Sequence, residues 1–266
     1  MNLQAISPGM EKADAEHRRE LCAAGAWLYQ RGFVVATDGN LSLRLDGGRV
    51  LTSPTGISKG MLDPGDLVVT DLEGRRLEGR LSPSSELAMH LAVYRRRPDV
   101  HAICHAHPPV ATGYAAAGMA LDKALLAECI LDLDCIPVAP YATPGTLALA
   151  DAIAPLLGQY NAILLANHGV VTFGPDLLSA FFRMETTEHI ARVTLVTELL
   201  GRQILLTKRD VESLLASRHR SADVQAQSPV RTADSADSAT NHDTSRSRRE
   251  LEVLLAEALR TLNAER

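Results

Sequence analysis

Aromatic residues are scarce in this chain: one Trp, four Phe and five Tyr among 266 residues. The core must therefore come from Leu, Val, Ile and Ala, and there is no basic surface interleaved with aromatics of the kind that stacks on nucleic-acid bases. Excess charge is lacking as well, with a formal net charge of −5. The short cluster Arg95–Arg96–Arg97 reads as a solvated helix end, where cations suit the helix dipole. Cysteine is sparse, and Cys22, Cys104, Cys129 and Cys135 show neither C-x-x-C spacing nor the density of a disulfide scaffold. Reduced thiols in a cytoplasmic protein are the economical reading. Long apolar runs are missing: "AILLANHGVVTF" is interrupted by polar residues and too short to span a bilayer. No secretory signal precedes the first acidic residues. Neither nucleic acid nor membrane is an expected partner.

Histidine, in contrast, is concentrated. Three of the nine histidines fall in "HAICHAHPPV", residues 101–110. In an extended strand side chains alternate faces, which puts His101, Ile103, His105 and His107 on one side and Ala102, Cys104 and Ala106 on the other. Two imidazoles at i and i+2 can clamp a divalent metal, or they can be ordinary strand histidines. His168, in "LLANHGVVTFG", supplies a third nitrogen donor next to Gly169, whose missing side chain permits close backbone approach. Three protein ligands with one open position is the arrangement of catalytic zinc sites, with Co²⁺ or Mn²⁺ compatible by residue type. Glu86 sits near the start of a helix, where it can face such a metal and exchange a proton, or merely complement the helix dipole. His90, one turn later, reads as a core or supporting group outside the ligand set.

Three loops have anion-binding chemistry. "SPSSE" places Ser84 and Ser85 in the first turn of a helix opened by Ser82 and Pro83. "TSPTGISKG" offers Thr55 and Gly56, and "TDGNLS" offers Asn40 beside Gly39. Taken singly, each is equally plain turn chemistry.

The rest of the pattern predicts an amphipathic helix over 11–31, with Leu21, Ala24, Trp27 and Leu28 on its apolar stripe. A β-hairpin turning at Asp46–Gly47–Gly48 follows, and a second turns near Glu73–Gly74. Further strands are expected at 100–107, 135–139 and 161–173, with helices near 109–118, 122–130, 145–157 and 176–200. Mixed hairpins and helices without regular alternation indicate an α/β domain, assigned here to residues 1–217. Residues 218–246, rich in Ser, Ala, Asp, Arg and Thr, read as a disordered linker. Residues 247–266 read as an amphipathic helix with a stripe of Leu251, Leu254, Leu255, Leu259 and Leu262.

In order, the motifs GNLS, SPTG, SSE, HAH and NHG, with "IPVAPYATPGT" between the last two, resemble the landmarks of the class II aldolase/adducin family over about residues 15–207. The match is closest to members of the L-fuculose-1-phosphate aldolase type. The resemblance implies a three-layer α/β fold with a central, mainly antiparallel sheet, and a homotetramer with interfacial active sites. It implies zinc on His105, His107 and His168, with Glu86 both facing the metal and acting as catalytic carboxylate. It assigns phosphate binding to Gly39, Asn40, Thr55, Gly56, Ser84 and Ser85. The implied reaction is reversible cleavage of a ketose 1-phosphate into dihydroxyacetone phosphate and an aldehyde. The chain departs from the fuculose pattern in lacking a tyrosine in "LDKALLAECI" and after Tyr160. That points to a deoxy or methylthio aldehyde, with 5-deoxyribulose or methylthioribulose 1-phosphate as substrate. Methylthioribulose-1-phosphate dehydratase, ribulose-phosphate 4-epimerase and sugar-acid decarboxylase are alternatives on the same scaffold. A non-enzymatic adducin-like module would have no need of the metal set.

Overall fold

The computed structural model describes residues 8–219 and 231–232. Helix α1 (Pro8–Gln30) buries Leu21, Ala24 and Leu28 completely. Trp27 leaves the expected stripe: it is rotated about 100° from Leu28 around the helix, stays 41% exposed and rests its ring against Phe181.

The two hairpins form as the turn residues require. Strands β1 (Asn40–Arg44) and β2 (Val50–Thr52) pair antiparallel across Gly47 and Gly48, both at positive φ. Strands β3 (Val68–Thr70) and β4 (Arg76–Glu78) extend the sheet. After helix α2 (Leu87–Arg96) comes the histidine strand β5 (Ala102–Ala106). Helices α3 (Pro109–Ala116) and α4 (Ala127–Asp132), strand β6 (Val138–Ala139) and helix α5 (Leu147–Ile153) lead to β7 (Ala162–Leu165) and β8 (Gly169–Gly174). Helices α6 (Leu177–Leu199) and α7 (Lys208–His219) follow.

The eight strands form one sheet in the order β4-β3-β2-β1-β5-β8-β7-β6, antiparallel except at β6–β7. One face packs on α1, α3, α4 and α6, with Cys104 and Ala106 in that core. The other packs on α2 and α5, with Ile103 in its core. The expected mainly antiparallel, three-layer α/β architecture is therefore the one observed, and strand alternation sorts the residues of β5 as predicted.

Three local expectations are corrected. Helix α2 does not open at Ser82–Pro83. Thr55 N–H donates to Ser82 O and Ser84 N–H to Ser53 O, so residues 82–84 are held extended against the 53–55 segment. Ser84 and Ser85 thus precede the helix, and Glu86 occupies its N-cap position. Helix α4 begins at Ala127 rather than near 122, because Leu121 and Lys123 are engaged in bridges to Ile136 and Arg231. Arg97 is not a solvated cation: its guanidinium donates to Leu157 O and Asn161 Oδ1 and ties the end of α2 to the segment between α5 and β7. Within 218–246, the segment expected to be a disordered linker, the described residues are the last two of α7 and the pair 231–232, where Arg231 contacts Asp122 through backbone and side chain. The rest of that segment, and the helix expected over 247–266, lie outside the described residues.

The turn from β5 into α3 is anchored by Glu188, which is 1% exposed on α6. Its carboxylate accepts from Val110 N–H and Ala111 N–H, at 3.1 and 2.9 Å, and from Arg192 Nε at 2.8 Å. Removing it orphans backbone donors just after His107. Glu188→Ala should lower unfolding stability by about 3 kcal/mol, while Glu188→Gln, which keeps an acceptor, should lose about 1 kcal/mol. Denaturant midpoints of the two variants check this.

Candidate active site

The site lies where β1 begins, β5 ends and the β7–β8 turn comes down beside the N-terminus of α2. Antiparallel pairing sets Asn40 directly opposite His105. His107 follows β5, its N–H donating to Phe33 O. His168 is carried by a tight turn in which Asn167 takes φ +56°, a left-handed conformation that Asn tolerates better than most residues.

Glycine makes the convergence possible. A Cβ on Gly169 would fall 2.4 Å from His107 Cδ2 and 2.6 Å from Ala106 O. A Cβ on Gly39, which has φ +70°, would fall 2.7 Å from His105 O.

The nitrogens of His105, His107 and His168 lie within 4.8 Å of one another, the one group of three or more potential metal ligands of this kind among the described residues. His105 Nε2 and His107 Nε2 are 3.3 Å apart. A tetrahedral ion with ligands at about 2.0–2.1 Å sets its donors about 3.3–3.4 Å apart, so this pair has the spacing such an ion needs. His105 Nδ1–H donates to Val170 O at 2.9 Å, which leaves Nε2 as the bare nitrogen. Glu86 closes the cluster, its Oε2 3.0 Å from His105 Nε2 and its Oε1 3.2 Å from His168 Nε2. Bare imidazole nitrogens facing a carboxylate repel it unless a proton or a cation stands between them. The donor set therefore fits a divalent metal.

The electrostatics agree. Burial alone would raise the Glu86 carboxyl, but the His105 and His168 imidazoles and the Asn40 amide outweigh it and hold Glu86 well below the usual carboxylate range. Burial pulls His168 down to about 4, with His105 adding to the effect. His107 is lowered by burial and by His105. For His105 burial acts downward too, yet the Glu86 charge prevails and raises it. Burial thus favours the neutral imidazole at His107 and His168, the form in which a histidine binds a metal, beside an ionised carboxylate.

The residues expected to bind phosphate are placed unequally. Thr55, Gly56 and Ser85 are exposed on adjoining loops, with Gly145 of the "YATPGT" segment close over Ser85. Ser84 is buried, and its Oγ accepts from Glu86 N–H. Asn40 is buried and donates through Nδ2 to Glu86 Oε2 at 2.8 Å, so its amide is engaged with the carboxylate. Gly39 serves the backbone approach described above.

Sequence reasoning missed Asp38, Ser42 and Tyr94, whereas His90 is the core supporting group it reads as. Asp38 Oδ2 sits 3.4 Å from His107 Nδ1; in "TDGN" it looks like a turn residue. His90, Ser42 and Tyr94 form a buried chain, His90 Nδ1 and Tyr94 Oη lying 2.7 and 2.8 Å from Ser42 Oγ. Burial pulls His90 down to about 3, so it is neutral and belongs to the core behind Glu86. Cys104 lies on the opposite face of β5, and burial raises its thiol, which removes it as a nucleophile.

Comparison with known proteins gives concordant results. Residues 19–195 match the family model described as the class II aldolase and adducin N-terminal domain. A 5-deoxy-D-ribulose 1-phosphate aldolase of Bacillus thuringiensis serovar kurstaki is 36% identical over 202 residues, covering 75% of this chain and 93% of that protein. A 3-oxo-tetronate 4-phosphate decarboxylase of Pectobacterium atrosepticum is also 36% identical over 202 residues, covering 74% and 91%. Among solved structures, an L-fuculose 1-phosphate aldolase superimposes with a TM-score of 0.71 at 33% identity, covering 75% of this chain and 94% of that one.

Proposed function

The chain belongs to the class II aldolase and adducin family, and from that premise we propose that it is a lyase, a metal-dependent aldolase cleaving a ketose 1-phosphate to dihydroxyacetone phosphate and an aldehyde. The observation that carries the reading is the meeting of three imidazole nitrogens with the buried Glu86 carboxylate. His105, His107 and His168, with Glu86 until substrate arrives, would hold the ion, and zinc suits a nitrogen set of this kind. Bound there, it would supply Lewis-acid polarisation of the substrate carbonyl.

The protein's own groups do the rest. Glu86 is the proton carrier: in cleavage the C4 hydroxyl gives its proton to the ionised Glu86 as the C3–C4 bond breaks and the aldehyde leaves, and Glu86 then delivers it to C3 of the triose; in synthesis it removes the C3 proton and returns it to the oxygen on C4. Asn40 orients Glu86 through its amide. Thr55, Gly56 and Ser85, with Ser84, Gly39 and Asn40 adjoining, form the anion cradle. They hold the substrate's phosphate and so fix the distant reacting carbons in register.

The absence of tyrosine in 121–130, where Leu126 stands half-buried, favours an aldehyde without polar substituents at its far end. The similarity to a 5-deoxyribulose 1-phosphate aldolase supports the same choice. A homotetramer with sites at subunit interfaces, and a cytoplasmic setting, belong to the same reading. The four free cysteines are compatible with that setting. Among the described residues, no helix is long and apolar enough to cross a membrane.

The equally similar decarboxylase keeps one rival in play. The zinc-loaded protein should release dihydroxyacetone phosphate from 5-deoxyribulose 1-phosphate above its rate on fuculose 1-phosphate, and chelation should abolish release. Carbon dioxide from a 3-oxo sugar acid phosphate with no triose phosphate from either ketose would replace the aldolase reading with the decarboxylase one. A product that retains all the carbons in one molecule would indicate the dehydratase or epimerase.

A further inference from the structure

Of the groups the reaction leaves unused, Lys59 is the most unusual. It opens a short 3₁₀ turn, Lys59–Met61, and is 1% exposed beneath the loop that carries Thr55 and Gly56. Its ammonium donates to Ile57 O at 2.5 Å and to Thr37 O at 2.9 Å. Burial pulls it down to about 8, with the Asp38 charge opposing. Burying an ammonium is unfavourable, and here two carbonyls from two different loops compensate it.

The lysine is itself held firmly. Helix α1 packs against its turn so closely that a Cβ on Gly25 would fall 2.6 Å from Lys59 O, and one on Gly60 would fall 2.6 Å from the Tyr29 ring. On the other side, Ala36 adopts φ +46° one residue before Thr37, a left-handed conformation that is unfavourable for a non-glycine residue. Such a backbone persists only where its surroundings restrain it, and the bond from Lys59 to Thr37 O is such a restraint.

The two gripped loops lead to opposite ends of the site. Thr37 is followed by Asp38 against His107, Gly39 against the His105 carbonyl and Asn40 on Glu86. Ile57 is preceded by Thr55 and Gly56 of the proposed cradle. We propose that Lys59 is a positioning residue that sets the spacing between the anion cradle and the histidine–glutamate cluster, so that phosphate and reacting carbons register together. This rests on the aldolase reading above; Lys59 touches no substrate and acts through Thr37 and Ile57.

Lys59→Met keeps the chain length and removes the donors. KM for the ketose phosphate and the inhibition constant of inorganic phosphate should each rise about 10- to 100-fold, and kcat should fall about 10-fold as the reacting carbons lose register. Zinc content should be unchanged, since the imidazoles are fixed by β5 and the β7–β8 turn. Unchanged KM and phosphate inhibition would overturn the proposal, and so would a fall in kcat accompanied by an equal loss of zinc. Should that variant not fold, hydrogen exchange in the wild-type protein decides. Inorganic phosphate should slow amide exchange in both 35–40 and 53–58, and protection limited to 53–58, or none, overturns the proposal. This second measurement needs no turnover, so failure of the wild-type protein to release triose phosphate would count against the aldolase reading and leave the exchange result standing on its own.

Discussion

Glu86→Gln should leave the protein folded and able to bind zinc, yet lower kcat by about 10²- to 10⁴-fold, or about 3–5 kcal/mol of transition-state stabilisation. The amide has the shape of the carboxylate, and its oxygen can accept the Asn40 Nδ2–H bond that Glu86 Oε2 accepts now. What it cannot do is receive or return a proton. The three imidazoles remain, with His105 still fixed through Val170 O, so metal content measured on the dialysed protein should stay near one ion per set. Activity near wild type would remove Glu86 from the chemistry. Equal losses of metal and activity would demote it to a ligand. Glu86→Asp sharpens the distinction: the charge is kept but withdrawn by about one methylene, and a misplacement of about 1 Å is enough to cost on the order of 10²-fold.

Much of this site is legible in the sequence, because its chemistry is carried by short local patterns. Alternation along β5 separated His105 from Cys104 correctly, since period two depends only on the strand being extended. The tight β7–β8 turn is not legible in the same way: residues 161–173 read as one strand, and the left-handed Asn167 divides it into the antiparallel pair β7 and β8. Less legible were facts that depend on pairing between distant segments. Asn40 faces His105 because β1 and β5 are neighbours 65 residues apart in sequence, and only that register commits its amide to Glu86 rather than leaving it free in a turn. Ser84 and Ser85 read as a first helical turn because Ser-Pro is a good helix opener. The backbone of 82–84 instead bonds to 53–55, a long-range pairing that overrides the local signal. Lys59 was invisible for a related reason. A lysine in a polar loop reads as solvated, and its burial follows from α1 closing over it through Gly25 and Gly60. The aldolase reaction itself came from the order of motifs, whereas the roles of Asp38 and Lys59 came from packing.

Gly169→Ala should cost the protein its metal without unfolding it. The added methyl would lie 2.4 Å from the His107 ring and 2.6 Å from Ala106 O, both inside any real contact. The carbonyl is anchored, because Ala106 is the residue of β5 that pairs with Val170, so relief must come largely from His107. That ring is half-buried, and it is supported at 3.4 Å by a partly exposed Asp38 carboxylate, a weaker restraint than the Val170 carbonyl bond that holds His105. His107 therefore turns out of the cluster, and the His105–His107 nitrogen spacing of 3.3 Å is lost. Overpacking of this kind costs about 1–3 kcal/mol of stability, which a domain of this size survives. Disturbing the orientation of a metal ligand weakens affinity about 10- to 100-fold, and more where the ligand is lost outright. Zinc competition against a chromophoric chelator should show a weakening of at least about 10²-fold, with activity restored in part by excess zinc. Gly113→Ala, in α3 where an added Cβ meets nothing within 4 Å, provides the comparison: it should hold zinc as wild type does and gain about 0.4–1 kcal/mol from the reduced freedom of its unfolded chain. If Gly169→Ala also bound zinc like wild type, the histidine cluster would have to form without His107, and the metal assignment would need a different third ligand.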